Sequence, residues 1–211
     1  MYFARLDGLS DVAGVYTLAW RFTDQAQELW TERVNRFKDG HAQAIAGASR
    51  TLDAAVPQLL AAREWSANEI AVSVALSSAD TGLVPSKALP TIAARICGKN
   101  GLKWMPSLLA KHPHRPLHNC RTQAEREAEI KKADYSATGS MSGIKRVLVF
   151  DDIATRGDTL TAIAGAIKRI SPRVEVVGIA LGKSERVSYA ASWGQTISNE
   201  HVPWEKYWNA K

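Results

Sequence analysis

Cysteine is nearly missing from this sequence: Cys97 and Cys120 are the two in 211 residues. A lone pair excludes a disulfide scaffold and points to reduced thiols, as in a cytoplasm. No apolar run reaches about 18 residues, so no membrane-spanning helix is expected. The N-terminus carries Arg5 and Asp7 and has no uninterrupted apolar core, so no signal peptide is read there. Neither G-x-x-x-x-G-K-[ST] nor G-x-G-x-x-G occurs, which weakens nucleoside-triphosphatase and dinucleotide readings. Repeats and low-complexity tracts are absent as well. Acidic residues are in slight deficit, 21 against 27 Lys and Arg, leaving a formal charge of +6. That excess suits a polyanionic small ligand or weak nucleic-acid contact and decides nothing alone. Hydrophobic residues at 45% are ordinary for a globular chain, and the length suits one α/β domain with an addition. Tryptophan is the exception, with seven residues.

What is present centres on residues 147–159, Val-Leu-Val-Phe-Asp-Asp-Ile-Ala-Thr-Arg-Gly-Asp-Thr. Val147 to Phe150 read as a strand buried on both faces, hence a central parallel strand. Asp151 and Asp152 follow where that strand should end. Thr155, Gly157 and Thr159 stand in the next loop. Leu160, Ile163, Ala164, Ile167 and Ile170 then recur at helical spacing, until Ser171-Pro172 stops the helix. Val174 to Leu181 is a further apolar run. The unit is strand, loop, helix, strand. A loop running into a helix N-terminus offers backbone N–H groups and partial positive charge to a phosphate. Gly157 permits close approach or positive φ, and Asp158 and Thr159 can cap the helix. Two carboxylates beside such a cradle repel phosphate and suit hydroxyls or Mg²⁺-bound water. A ligand with a phosphate at one end and a diol at the other, such as ribose 5-phosphate, fits both halves.

The rest of the chain organises around this unit. Met1 to Trp20 reads as short strands or turns, with Tyr2, Phe3, Leu6, Val12, Val15, Tyr16 and Leu18. Phe22 to Phe37 and His41 to Arg63 read as helices, the second with Pro57 inside. Ile70 to Leu76 is a buried strand, Ser77 to Ser86 a polar loop, and Leu89 to Ile96 a helix ended by Gly98 and Asn100. Leu102 to Met105 is a short strand. Lys111 to Ala137 is polar and charged, with a helix over Thr122 to Ala133, and 137–143 is small and flexible. Lys and Arg cluster between Arg95 and Arg146. This order predicts a doubly wound parallel sheet with its crevice at the strand carboxyl ends. The aromatic tail, Trp193, Trp204, Tyr207 and Trp208, can stack on a base or pack on the core or a partner subunit, and packing is the commoner fate.

Four apolar residues, Asp-Asp, two residues and Thr-x-Gly-x-Thr resemble the phosphoribosyl-pyrophosphate (PRPP) loop of the type I phosphoribosyltransferases. Arg156 departs from the Thr often found there, at a position that mainly supplies backbone. More loosely, Arg36 to Gly40, the strand at 70–76, and Gln123-Ala124-Glu125-Arg126 ahead of Lys131 and Tyr135 resemble the competence-associated, ComF-like branch. Two departures stand out: no zinc-ribbon cysteines lie near the N-terminus, and Ser86-Lys87 replaces an Arg-Gly-Phe-Asn-like step. The resemblance implies an α/β, doubly wound parallel sheet of the type I phosphoribosyltransferase kind. Residues 1–66 are then a helical N-terminal addition with a strand, and residues 67–211 the core, with a mobile basic insert near 111–143.

By the same resemblance, Asp151 and Asp152 contact the ribose hydroxyls, directly or through Mg²⁺. Ala154, Thr155, Arg156, Gly157, Asp158 and Thr159 hold the 5-phosphate. The loop at Ser77, Ser78 and Lys87 holds pyrophosphate. Lys111, Arg121 and Arg126 belong to a lid that closes over the substrate and excludes water. Zinc on His112, His114, His118 and Cys120 matches no usual ligand spacing. The implied reaction is a transferase reaction: the phosphoribosyl group of PRPP moves to a nitrogen acceptor, a nucleobase, with release of pyrophosphate and help from Mg²⁺. That places the chain among cytoplasmic glycosyltransferases of nucleotide metabolism. A different class is a non-catalytic PRPP- or nucleotide-sensing module that regulates a nucleic-acid process such as DNA uptake. A homodimer and nucleic acid are the further partners considered; a membrane is not.

Overall fold

The computed structural model describes residues 4–6 and 11–210 of the chain; Tyr2 and Phe3 lie outside them. In chain order the elements are β1 (Ala4–Leu6), β2 (Gly14–Phe22), α1 (Leu29–Lys38), α2 (Ala42–Ala62) and β3 (Ile70–Val74). Then come α3 (Ala88–Asn100), β4 (Lys103–Trp104), β5 (Leu109–Ala110), α4 (Gln123–Ala133) and β6 (Ser136–Ala137). The chain continues with β7 (Arg146–Ala154), α5 (Asp158–Ile170), β8 (Glu175–Glu185), α6 (Val187–Ser192) and α7 (Glu205–Trp208).

One sheet has the order β1-β2-β8-β7-β3-β4. β1 is antiparallel to β2, and the other five strands are parallel. Side chains alternate across β7. Leu148 and Phe150 face a core shared with α1, α2 and α3, while Val147 and Val149 face one shared with α5 and the β5–β6 ribbon. The result is an α/β protein with helices on both faces of a parallel sheet, as in doubly wound folds. From β3 the chain crosses through α3 to β4 in one direction. From β7 it crosses through α5 to β8 in the other. The winding therefore reverses between the adjacent strands β3 and β7, where a ligand crevice belongs.

Several expectations change in detail. The segment up to Trp20 is a nine-residue strand, β2, paired with β8 from Gly14 opposite Val177 to Phe22 opposite Glu185. Buried Thr17 interrupts its apolar pattern, which hides it in the sequence. Phe22 belongs to this strand. The helix begins only at Leu29, because the Glu28 carboxylate accepts from Thr31 N at 2.7 Å and caps it there. Residues of the N-terminal 66 thus share the main sheet and both of its cores with the remainder, Val12 and Val15 on the α5 face and the helices on the other. α3 runs on to Asn100 and ends at Gly101, whose φ of 67° is the left-handed turn that a glycine makes cheaply. Ile170, placed on the buried stripe of α5, is exposed. Among the described residues no helix is long and apolar enough to cross a membrane.

The tail packs on the N-terminal helices. Trp204 and Trp208 are buried, whereas Trp193 is 69% exposed. The Arg33 guanidinium lies 4.8 Å from the Trp30 ring centroid and 5.3 Å from that of Trp208. It also grips Glu205 with two bonds of 2.6 and 2.8 Å. Arg50 donates to the Trp208 carbonyl at 2.6 Å. This contact requires a glycine: a Cβ on Gly47 would sit 2.5 Å from Trp208 Cε2. Gly47→Val is therefore expected to expel the indole and cost about 1–3 kcal/mol, as overpacking does. Thermal melting reads the loss, and tryptophan emission reads the exposure of Trp208. An unchanged midpoint and spectrum would mean that the tail is not seated there.

Candidate functional site

β7 is bonded on both sides only part of its length. Its register with β3 ends at Phe150, opposite Val74, and Ala75 N closes on the Phe150 carbonyl at 2.8 Å. Its register with β8 continues, with Asp151 opposite Ala180 and Ala154 opposite Lys183. The strand therefore runs through the acidic pair instead of stopping before it, and both carboxylates stand where β3 has peeled away. Asp152 N donates to Asp151 Oδ1 at 2.8 Å, and Ile153 N donates to Asp152 Oδ1 at 2.7 Å. Burial first, and then the neighbouring Asp152 carboxylate, push the Asp151 carboxyl well above the usual carboxylate range; the positive charge of Lys38 acts against them. Burial first, and then the nearby Asp151 carboxyl, push the Tyr135 phenol well above its ordinary range.

Thr155 and Arg156 are exposed on the loop that follows, and Gly157 is buried with φ 86°. Gly157 is itself the residue that caps α5 and has no side chain to cap with. The backbone N–H groups of the first turn, from Asp158 and Thr159 onward, face outward without a side-chain cap, which suits an anion. This corrects the capping role expected of Asp158 and Thr159, which lie inside the first turn. The Asp158 carboxylate is instead held by Arg126, whose Nε and Nη2 are each 3.0 Å from its Oδ2. Arg126 also donates to the Leu117 carbonyl at 2.9 Å. Arg156 donates to Gln123 Oε1 at 2.9 Å. α4 is thereby tied to the loop at two points.

Across the crevice, the loop after β3 carries the other set. Lys87 Nζ is 3.0 Å from Ser77 Oγ and 2.5 Å from Asp80 Oδ2. The Ser78 carbonyl accepts from Lys111 Nζ and from His114 N, each at 2.9 Å. Lys111, expected on a lid, is buried beside Ser77, Ser78 and Lys87. Arg121 is exposed at the head of α4, its backbone N–H donating to Glu125 at 2.7 Å. The three proposed lid cations thus part company: one joins the β3 loop, one the β7 loop, and one faces solvent. Among the described residues, no group of three or more His, Cys, Asp or Glu side chains is arranged to hold a metal.

The sequence does not single out Asp80 or Lys183, and it offers Tyr135 only as part of a loose resemblance. Asp80 lay in a loop read only as polar. Tyr135 ends a charged insert, yet it is buried, and its hydroxyl has no hydrogen-bond partner among the described residues. Lys183 is a buried lysine at the carboxyl end of β8, with Nζ 2.7 Å from the Ser184 carbonyl and 3.2 Å from Glu185 Oε2. Its signal was a charge placed directly after an apolar strand run. Two cavities, of about 390 and 510 Å³, lie away from these groups, at the amino edge beside Trp65 and between α1, α2 and the tail. Compared with models of protein families and with characterised proteins, the chain has no match.

The raised pKa of Asp151 has a definite sign. Its protonated form is favoured by the fold, so the stabilising contribution is complete below the ordinary carboxylate range and is lost as pH rises through the raised folded value. Asp151→Asn is therefore expected to melt later than the wild type at pH 8 without divalent cations, with the difference shrinking toward pH 4. Melting curves across that range check it; a gap independent of pH would mean that the carboxyl ionises normally.

Proposed function

We propose that the chain is a type I phosphoribosyltransferase, moving the phosphoribosyl group of PRPP to a nitrogen acceptor and releasing pyrophosphate. One observation carries the reading: the Thr-x-Gly-x-Thr loop and the Asp151-Asp152 pair stand together at the reversal of winding, opposite a loop that bears Lys87 and against which Lys111 is buried. The uncapped first turn of α5, with the hydroxyls of Thr155 and Thr159, takes the 5-phosphate. Asp151 and Asp152 take the ribose hydroxyls. The lysines on the other side neutralise the leaving diphosphate. Departure of pyrophosphate leaves positive charge on carbon 1, so the work is positioning and charge stabilisation, and no covalent nucleophile is needed.

The donor set fits Mg²⁺. Both carboxylates are hard oxygen ligands, and the burial and carboxylate repulsion that disfavour the charge on Asp151 are what a divalent cation relieves. Asp151 and Asp152 would hold Mg²⁺, which would supply charge neutralisation for the leaving group. The acceptor is a nucleobase, which fits a cytoplasmic role in nucleotide metabolism.

Calorimetry with PRPP should give Mg²⁺-dependent binding that Asp151→Asn/Asp152→Asn abolishes; equal affinity in both proteins removes the role given to the pair. Release of pyrophosphate from PRPP with a panel of bases then tests catalysis, because a sensing module of the same fold binds without turnover. Thr159→Val is expected to weaken ribose 5-phosphate by roughly 10- to 100-fold, the loss of one hydrogen bond to a charged group. Arg156→Thr should do less, since its guanidinium is exposed and engaged with Gln123. The reverse ranking would make Arg156 the phosphate ligand.

A further inference from the structure

The loop after β3 has an anion of its own. Lys87 Nζ meets Asp80 Oδ2 at 2.5 Å and Ser77 Oγ at 3.0 Å. A second ammonium lies close by. Lys111 is 5% exposed, and among the described residues its Nζ bonds only to carbonyl oxygens, those of Ser78 at 2.9 Å and His112 at 3.4 Å. Carbonyls satisfy hydrogen bonds but do not neutralise charge, and a buried ammonium without a counter-ion is costly. Burial lowers the Lys111 pKa, with Asp80 and Lys87 acting on it in opposite senses. Two cations and one carboxylate therefore share the loop, with one positive charge in excess.

The carboxylate is not what closes the loop. Backbone bonds already do so: Asp80 N to the Ser77 carbonyl at 3.0 Å, Lys111 N to Thr81 at 3.1 Å, His114 N to Ser78 at 2.9 Å and Lys87 N to Val84 at 3.1 Å. The Lys87 side chain is 44% exposed, so an incoming anion can reach it, while that of Asp80 is 16% exposed and sits between the donors.

We propose that Asp80 is an internal stand-in for a diphosphate-like anion, which displaces its carboxylate from Lys87 and Ser77 and takes Lys111 as a second cation. The identity of that anion as the diphosphate of PRPP rests on the function proposed above; the cation set does not. The stand-in lowers apparent affinity, because the ligand must first break a pair that the free protein already holds. In return it keeps two lysines ordered and screened from each other.

The sign of one substitution separates this from a purely structural role. Inorganic pyrophosphate is titrated into the full chain in Mg²⁺ buffer, with wild type, Asp80→Asn, Lys87→Gln and the double variant. Asp80→Asn is expected to bind roughly 5- to 30-fold more tightly, the range for releasing a competing contact of modest strength. Lys87→Gln should bind more weakly, and in its background Asp80→Asn should gain much less. Equal or weaker binding by Asp80→Asn, in a protein that melts like the wild type, overturns the proposal. If that variant melts early, Asp80→Ser is titrated in its place and judged by the same sign. Wild type that binds PRPP beside an Asp80→Asn that gains nothing refutes the stand-in alone. Tighter pyrophosphate binding by Asp80→Asn in a chain that ignores PRPP and ribose 5-phosphate refutes the phosphoribosyltransferase reading alone. No pyrophosphate binding by any variant overturns the stand-in.

Discussion

The hydrogen bonds between β3 and β7 stop at Phe150, and the arrangement of the candidate site follows from that ending. Up to Phe150 the strand is sealed on both edges and both faces, and only apolar side chains fit there. Four residues further it is still held by β8 but has lost its other neighbour. Carboxylates placed earlier would be buried without recourse. Placed later they would ride on a loop and lose their aim. At 151 and 152 they have a rigid strand beneath them and an open edge beside them, which is how a site gains precision without losing access.

Charge is handled by pairing across elements. The insert begins by burying Lys111 against the loop after β3 and returns, through Arg126, to the head of α5. It therefore touches both banks of the crevice. Asp80 and Asp158, the two acidic residues on those banks outside the central pair, each have a cation from Lys87 or Arg126. The remaining carboxylates, Asp151 and Asp152, lie against each other, and there the repulsion is left standing. A repulsion left between two banks whose other carboxylates are paired marks the place where an outside cation or hydroxyl has most to offer.

Much of this was legible in the sequence. Val147 to Phe150, the stripe of α5 and the run from Val174 are periodic and uninterrupted, and each became the element expected. The polar stretch from Thr122 to Ala133 likewise read as a helix, and the Thr122 hydroxyl accepts from Glu125 N at 3.1 Å. β2 was harder, because Thr17 breaks its pattern and its burial comes from β8, far away in sequence. Periodicity reports which face is buried, not which distant partner does the burying. The same limit applied to Asp80, Lys111 and Tyr135. A loop aspartate and an insert lysine become neighbours only when the fold brings two segments together, and nothing in local composition encodes that encounter.

The pairing of β2 with β8 also governs the order in which the molecule can assemble. Val15 lies opposite Gly178, so the sheet joins the two ends of the sequence, and Trp208 closes over Gly47 in the same way. Contacts between β7, α5 and β8 are local and close at small entropic cost, whereas β2 must wait for a strand more than half the chain away. One bank of the crevice, the loop after β7, sits on the locally closed half. Folding thus can build that loop early and stabilise it late, and a fragment ending before β8 would leave β2 with an unpaired apolar edge, a template for association with other chains.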